Sequence, residues 1–364
     1  MKIKISRDAL LSAMQKVAAV IPARPTLPVL ANALFEADGG TLVLTGSDGA
    51  ITVRTSVEAE VLEPGATTLP VKRIASLFHE LSDDSVDLSV DGSDIAAFGT
   101  STGGYRVYGI SAADFPKLPD MSEGVQSRTL GQGKLREMLR LTAYAASNDV
   151  TRTMLNAVLL SFRAGKMTAV ATDSRRLAMV EQEADVDSAA EGDLVVPLKA
   201  VGEIQRMLSD SGTVEVKATA AQAAFVLEDT TVFTTLVQKQ FPNYRQVIPQ
   251  AEGSRVTLDR EPFLTALKRL NAASIDASAV VKLELTEDRL KMSIAAEGVS
   301  EGQETLAVKY AGDPIAISFN STYLMEPVKN LATDELTLDV LDDVSPGVIR
   351  TSVNFVYVLM PIRM

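Results

Sequence analysis

The strongest constraint on this chain is a repeat. One order of elements runs three times through its 364 residues: a helix, strands, a second helix opened by proline or asparagine, then more strands. The landmarks stay in register. Thr41 to Met167 is 126 positions and Met167 to Leu290 is 123; Pro70 to Pro197 is 127 and Pro197 to Asn320 is 123; Phe115 to Phe241 is 126. A period of that size defines a repeated domain, because solenoid units run to about 20–50 residues. Loop-like stretches at 118–124 and 248–253 set the expected boundaries, giving domains at 1–122, 123–252 and 253–364.

Within the first repeat, Leu10, Leu11, Met14, Val17, Ala18 and Ile21 recur at three- and four-residue spacing behind Ser6. That predicts an amphipathic helix with a side-chain N-cap. Residues 51–61 alternate apolar and polar side chains throughout, which predicts one half-buried strand. Pro70, in the first turn, is expected to open a second helix running to about Leu81. The second repeat predicts helices over 134–146 and from Pro197 to Leu208, with a strand over 167–173; the third predicts a helix containing Pro262 and running through Leu270, another over 320–331, and a final strand over 353–360. The expected fold class is α+β: three repeated domains, each with two helices packed on antiparallel sheets.

Composition narrows the chemistry. There is no cysteine, so disulfides, thiolate nucleophiles and cysteine zinc sites are excluded together, and a reducing, cytoplasmic setting is expected. Lys2 and Lys4 precede an apolar stretch, but Gln15 and Lys16 interrupt it and no small-residue cleavage site follows cleanly, so it reads as a helix and not a secretory signal. Nowhere do 18 apolar residues run together, and no membrane span is expected. The lone histidine, His79, has no metal-pair partner and no visible catalytic partner. Neither a Gly-x-x-x-x-Gly-Lys nor a strand-borne Gly-x-Gly-x-x-Gly occurs. Asp83–Asp84 and Asp342–Asp343 are neighbouring acids in turn-like settings. Acids from distant loops leave a hydrolase as one open reading; the expectation is no enzyme, no metal and no cofactor.

Net charge first argues against a polyanionic partner: 35 Lys and Arg stand against 47 Asp and Glu, a balance of −12. The distribution changes that. The helix windows 6–20, 70–82, 132–146, 197–209, 260–273 and 319–332 together carry +7, leaving −19 on the remainder. Basic residues gathered on helices can offer a positive surface to a polyanion while the rest stays negative, although Lys and Arg are also good surface helix formers.

Several strings resemble the bacterial DNA polymerase III beta sliding-clamp family: Arg24-Pro-Thr-Leu-Pro-Val-Leu30, Glu63-Pro-Gly-Ala-Thr-Thr68, Ala113-Asp-Phe-Pro116, Val170-Ala-Thr-Asp173 with Arg176-Leu-Ala178, Phe241-Pro-Asn-Tyr-Arg245, and Tyr357-Val-Leu-Met-Pro-Ile-Arg-Met364. They span the chain in order. The resemblance implies a head-to-tail homodimer forming a ring, helices lining the hole, duplex DNA held without regard to sequence, and tethering of the replicative polymerase, the clamp loader and other clamp-motif proteins, which gives processivity in DNA replication. The competing reading from another class is a three-domain β-rich binding or structural protein that does not bind DNA.

The same resemblance implies site residues. For DNA they are Arg24, Lys72, Arg73, Asn148, Lys199 and Arg206, although Arg206 rests mainly on the helix reading. For partner peptides they are Leu155, Thr172, Ser174, Arg175, Arg176, Leu177, Pro242, Gln246, Val247, Asn320, Tyr323, Val344, Val358, Met360, Pro361, Ile362, Arg363 and Met364. Ring closure would set Tyr105 and Val107 of one subunit against Ala272 and Ala273 of the next. Ser174–Arg175, Gln246, Met364 and the Ala272–Ala273 pair depart from residues seen in some members, as do Thr153 and Met154, where aromatic rings can stand.

Overall fold

A computed structural model describes residues 1–100, 103–119, 121, 124–185, 188–250, 253–274, 279–296 and 300–363. The first repeat contains β1 (Lys2–Ser6), α1 (Arg7–Ala18), β2 (Ala33–Asp38), β3 (Thr41–Ser47), β4 (Ile51–Glu58), β5 (Glu60–Glu63), β6 (Gly65–Leu69), α2 (Val71–His79), β7 (Ser85–Val90), β8 (Ile95–Gly99) and β9 (Gly104–Tyr108). The second contains β10 (Gln126–Gly131), α3 (Gln132–Thr142), β11 (Ala157–Arg163), β12 (Lys166–Thr172), β13 (Arg176–Glu183), β14 (Gly192–Pro197), α4 (Leu198–Met207), β15 (Thr213–Ala218), β16 (Gln222–Val226) and β17 (Thr230–Thr235). The third contains β18 (Ser254–Asp259), α5 (Arg260–Ala272), β19 (Val280–Thr286), β20 (Arg289–Ala296), β21 (Ser300–Ala307), β22 (Ile315–Asn320), α6 (Ser321–Asn330), β23 (Glu335–Val340), β24 (Gly347–Arg350) and β25 (Phe355–Leu359).

Each repeat builds two four-stranded blocks. In the first block the order is β4-β3-β2-β6, then β13-β12-β11-β14, then β21-β20-β19-β22; in the second it is β1-β7-β8-β9, then β10-β15-β16-β17, then β18-β23-β24-β25. Antiparallel pairing of β17 with β4 fuses two blocks into one eight-stranded sheet, with Val232 opposite Val53. Pairing of β13 with β25 makes a second, with Ala178 opposite Tyr357. Among the described residues no strand is added beyond β9 or beyond β21, although β5 extends the β9 sheet at its far side.

By contact density the chain divides into two compact units, Met1–Gly133 with Gly202–Leu236, and Lys134–Val201 with Val237–Met364. The first unit contains the β17–β4 sheet and the β9 block; the second contains the β13–β25 sheet and the β21 block. The expected domain boundaries touch residues 122–123 and 252, which lie outside the described residues.

Helix formation follows the sequence closely. Ser6 caps α1, its hydroxyl accepting from the Ala9 amide, and Asn320 caps α6 in the same way through Tyr323. In the first unit α1 and α2 pack together, and Leu10, Met14, Val17, Ile74 and Phe78 are buried against the sheets. Phe78 meets Phe98 edge-on at 5.5 Å. In the second unit α5 and α6 pack together, burying Phe263, Leu267 and Leu324. Each such side chain contributes about 1.5–3 kcal/mol relative to exposure.

Several expectations change: Pro197 closes β14 and α4 starts at Leu198, and α3 ends at Thr142, with a 3₁₀ turn over Ala143–Ala145 in place of the expected helix to 146. The alternating run at 51–61 is two strands: β4 stops at Glu58 in one sheet and β5 starts at Glu60 in another, with the Ala59 amide turned to the Gly40 carbonyl at 3.1 Å. The side-chain alternation continues through the bend, so periodicity alone cannot reveal it. Pro70 is the N-cap of α2, not a residue of its first turn, and the helix ends at His79. Val353 and Asn354 precede β25 instead of opening it.

Candidate partner groove and nucleic-acid interface

The hairpin between β12 and β13 is the centre of an apolar depression in the second unit. Thr172 Oγ1 donates to the Arg176 carbonyl at 2.7 Å, and Asp173 Oδ1 accepts from the amides of Arg175 at 2.8 Å and Arg176 at 3.0 Å. This folds the turn back on itself and directs Leu177 onto the sheet, where it pairs across from Val358. Leu155, Pro242, Val247 and Met360 complete the apolar walls, with Thr172, Ser174, Arg175 and Arg176 around them, enclosing a cavity of about 260 Å³. Thus ten of the residues expected to hold partner peptides line one groove. Asn243 and Tyr244 line it too, and were within reach of sequence reasoning because they sit inside the Phe241–Arg245 string.

The other expected peptide residues divide. Val344, Ile362 and Arg363 line a second depression with Asp343, noted in the sequence only as one of two neighbouring acids, and with Lys282 and Ser318, which the sequence did not single out. Asp342 orders this edge by accepting from the amides of Val344 and Ser345, and those bonds hold its carboxyl below the ordinary carboxylate range. The chain end is tied down: the Met360 amide donates to the Arg175 carbonyl at 2.9 Å, and the Ile362 amide to the Ser318 carbonyl at 2.8 Å. Pro361, between them, is half-buried. Gln246 is exposed on the 3₁₀ turn Tyr244–Val247 and does not line the groove. Met364 lies outside the described residues.

Arg176, Asn320 and Tyr323 form a layer behind the groove. The guanidinium of Arg176 is 6% exposed and bonds Asp173 at 3.1 Å, Glu326, and the Tyr144 carbonyl at 2.6 Å, while stacking 4.1 Å from the Tyr323 ring centroid. Asn320 Oδ1 accepts from the Tyr323 amide, and the Tyr323 carbonyl accepts from the buried Tyr357 hydroxyl at 2.8 Å. Burial pushes the Tyr357 hydroxyl's pKa far up, so it stays a donor. Arg176 touches the groove, but its charge is spent on the protein's own carboxylates and carbonyl, not held out to a ligand.

The residues expected to meet DNA are all exposed. Lys72 and Arg73 stand in the first turn of α2, and the Lys72 ammonium reaches the Ile21 carbonyl at 2.7 Å, tying α2 to the segment that carries Arg24. Asn148 lies on the loop after α3, and Lys199 lies in the first turn of α4. Arg206, in the last turn of α4, is paired with Glu203. The helix charge is also less free than a count of windows implies, because carboxylates elsewhere neutralise part of it: Lys16 pairs with Asp229 at 2.6 Å and Arg269 with Glu304 at 2.7 Å. Lys16 holds the Asp229 carboxyl down even against the burial that raises it.

Tyr105 and Val107 lie on β9 at a sheet edge; Tyr105 is 41% exposed and its neighbour Tyr108 is 72% exposed. Ala272 ends α5, and Ala273 caps it with its amide on the Arg269 and Leu270 carbonyls. Among the described residues no cluster of His, Asp or Glu could hold a metal ion, and no helix is long and apolar enough to cross a membrane.

A tripled unit of two helices and two sheet blocks, with an apolar groove and exposed cations on helices, defines a binding scaffold of the clamp-fold class. Family models for the N-terminal, central and C-terminal domains of the DNA polymerase III beta subunit match residues 1–119, 129–243 and 245–363. The chain is 33% identical to the beta sliding clamp of Synechococcus elongatus over the full length of both, and 31% identical to that of Chlamydia trachomatis, covering all of this chain and 87% of the relative. The solved sliding clamp of Pseudomonas aeruginosa bound to griselimycin superposes with a TM-score of 0.95 at 29% identity, covering 100% of both chains. The chain belongs to the DNA polymerase III beta subunit family, the bacterial sliding clamps.

Proposed function

We propose that two copies of this chain close head to tail into a ring around duplex DNA and tether the replicative polymerase, the clamp loader and other clamp-motif proteins, conferring processivity without chemistry of their own. The observation that carries the reading is the strand arrangement. Each block that follows a second helix ends in a strand seeking the end of a block that follows a first helix: β17 takes β4, β25 takes β13, and among the described residues β9 and β21 are left over. A second copy supplies the missing match, and pairing open edges across subunits removes an aggregation hazard. Tyr105 and Val107 would then face the neighbourhood of Ala272 and Ala273 in the other subunit.

The units 1–122, 123–252 and 253–364 serve as the ring's repeats, six in the dimer. Arg24, Lys72, Arg73, Asn148, Lys199 and Arg206 are the DNA contacts, made to phosphates and therefore independent of sequence. The groove around Leu177 and Val358 takes the apolar side chains of an extended partner peptide, and the tied-down chain end supplies a further wall. The protein works in the cytoplasm and requires no metal or cofactor.

Topology provides the test. After loading by the ATP-dependent clamp loader, the protein should stay on a nicked circular plasmid through gel filtration and be lost when a restriction enzyme linearises the circle. Equal retention on both forms would sink the sliding mechanism.

A further inference from the structure

We propose that Arg152 is a positioning residue for the groove, and that Ser174 is the reason one is needed. The inference rests on reading the groove as a peptide site. Ser174 stands at the tip of the β12–β13 turn, on the groove's rim, with φ +78°. That is the left-handed region, open to glycine but unfavourable for a residue with a Cβ atom. Within the turn, Thr172 Oγ1 accepts from the Ser174 amide at 3.2 Å and Asp173 Oδ1 holds the next two amides.

From outside the turn comes Arg152. Its guanidinium donates to the Asp173 carbonyl at 3.2 Å and to Ser174 Oγ at 2.9 Å. These two acceptors lie on opposite sides of one torsion. The Asp173 carbonyl belongs to the peptide plane that precedes Ser174, and Oγ belongs to the side chain beyond the N–Cα bond. A rigid, planar fork bonded to both resists rotation of φ at Ser174. The fork is itself anchored, since the Arg152 carbonyl accepts from the amides of Leu155 at 2.8 Å and Asn156 at 2.9 Å, and its amide donates to the Asp149 carbonyl at 3.1 Å. Leu155 lines the groove, so Arg152 braces one wall against the rim. The hydroxyl that makes the brace possible arrives with the same side chain that makes it necessary.

A double-mutant cycle on the full-length protein tests this. Apparent affinity falls with the fraction of molecules whose rim is formed, so Arg152→Ala should weaken binding of a fluorescein-labelled hexapeptide with leucines at alternate positions by about fivefold. In a Ser174→Gly background the same change should cost less than about twofold, because glycine adopts this φ unaided. Equal losses in both backgrounds would overturn the proposal and make Arg152 a direct peptide contact; no loss in either would overturn it by showing the turn self-supporting. Amide hydrogen exchange at residues 173–177 of the peptide-free protein reads the brace separately. It should quicken in Arg152→Ala and return to the wild-type rate in the double variant, and an unchanged rate in Arg152→Ala would overturn the brace. Should the wild-type protein fail to bind the peptide while the exchange pattern holds, the groove's assignment fails and the brace stands.

Discussion

Resemblance places Arg176 among the residues that hold a peptide, and its side chain does border the groove, yet its N–H donors turn inward to Asp173, Glu326 and the Tyr144 carbonyl. Removing such a guanidinium leaves two carboxylates without their cation in a poorly hydrated layer, a change that costs about 3–5 kcal/mol where a buried pair loses one partner. Arg176→Ala should therefore lower the urea midpoint of the full-length protein, followed by circular dichroism. Arg176→Lys should recover part of the loss, because it restores the charge but neither the fork nor the stack on Tyr323. A midpoint that does not move in Arg176→Ala would return the residue to a role at the groove surface alone. Arg175, by contrast, has its amide and carbonyl engaged within the fold and leaves its side chain at the rim, where the proposed peptide site would use it.

Elements were legible wherever a local signal fixes them. Ser6 announces its helix because a side-chain cap is a short-range event, and the three- and four-residue spacing of Leu10, Met14 and Val17 marks the buried face of α1. The break between β4 and β5 left no such trace, since it depends on which sheet each half joins, and that is decided by partners far along the chain, β17 and β1. For the groove, Leu177, Pro242 and Val358 could be named from family strings and Leu155 from the same resemblance, whereas Lys282 and Ser318, in the second depression, entered only once folding brought β19 and β22 beside the chain end. The depth at which a helix seats on its sheet was equally hidden. A Cβ at Gly46 in β3 would stand 2.5 Å from the carbonyl oxygen of Val17 and 3.1 Å from its Cβ, so α1 rests directly on strand backbone there. Backbone cannot yield as a flexible side chain does, and overpacking of this kind costs about 1–3 kcal/mol. Gly46→Ala should lower the thermal midpoint in calorimetry, and an unaltered midpoint would mean that α1 shifts freely on the sheet.

At the scale of the whole molecule, the acidic net charge and the proposed grip on DNA are reconciled by segregation, and the proposed ring depends on one remaining strand match. β9 presents Tyr105, Val107 and Tyr108 at an open edge, while β21, the edge it would meet in a second copy, carries Glu301 and Glu304. Glutamates introduced on β9 would bring like charge against that edge, and such juxtaposition costs several kcal/mol. Tyr105→Glu combined with Val107→Glu should therefore weaken self-association by about 100-fold or more, seen by sedimentation velocity as a shift from dimer to monomer at micromolar concentration. Neither residue is buried in the single chain, so circular dichroism and the binding of a peptide to the groove should be unaffected. Retention on circular DNA should disappear together with the dimer, because a chain that cannot close has nothing to hold it on the duplex beyond a few screened phosphate contacts. A double variant that still sediments as the wild type would place the subunit contact elsewhere and remove β9 from the ring.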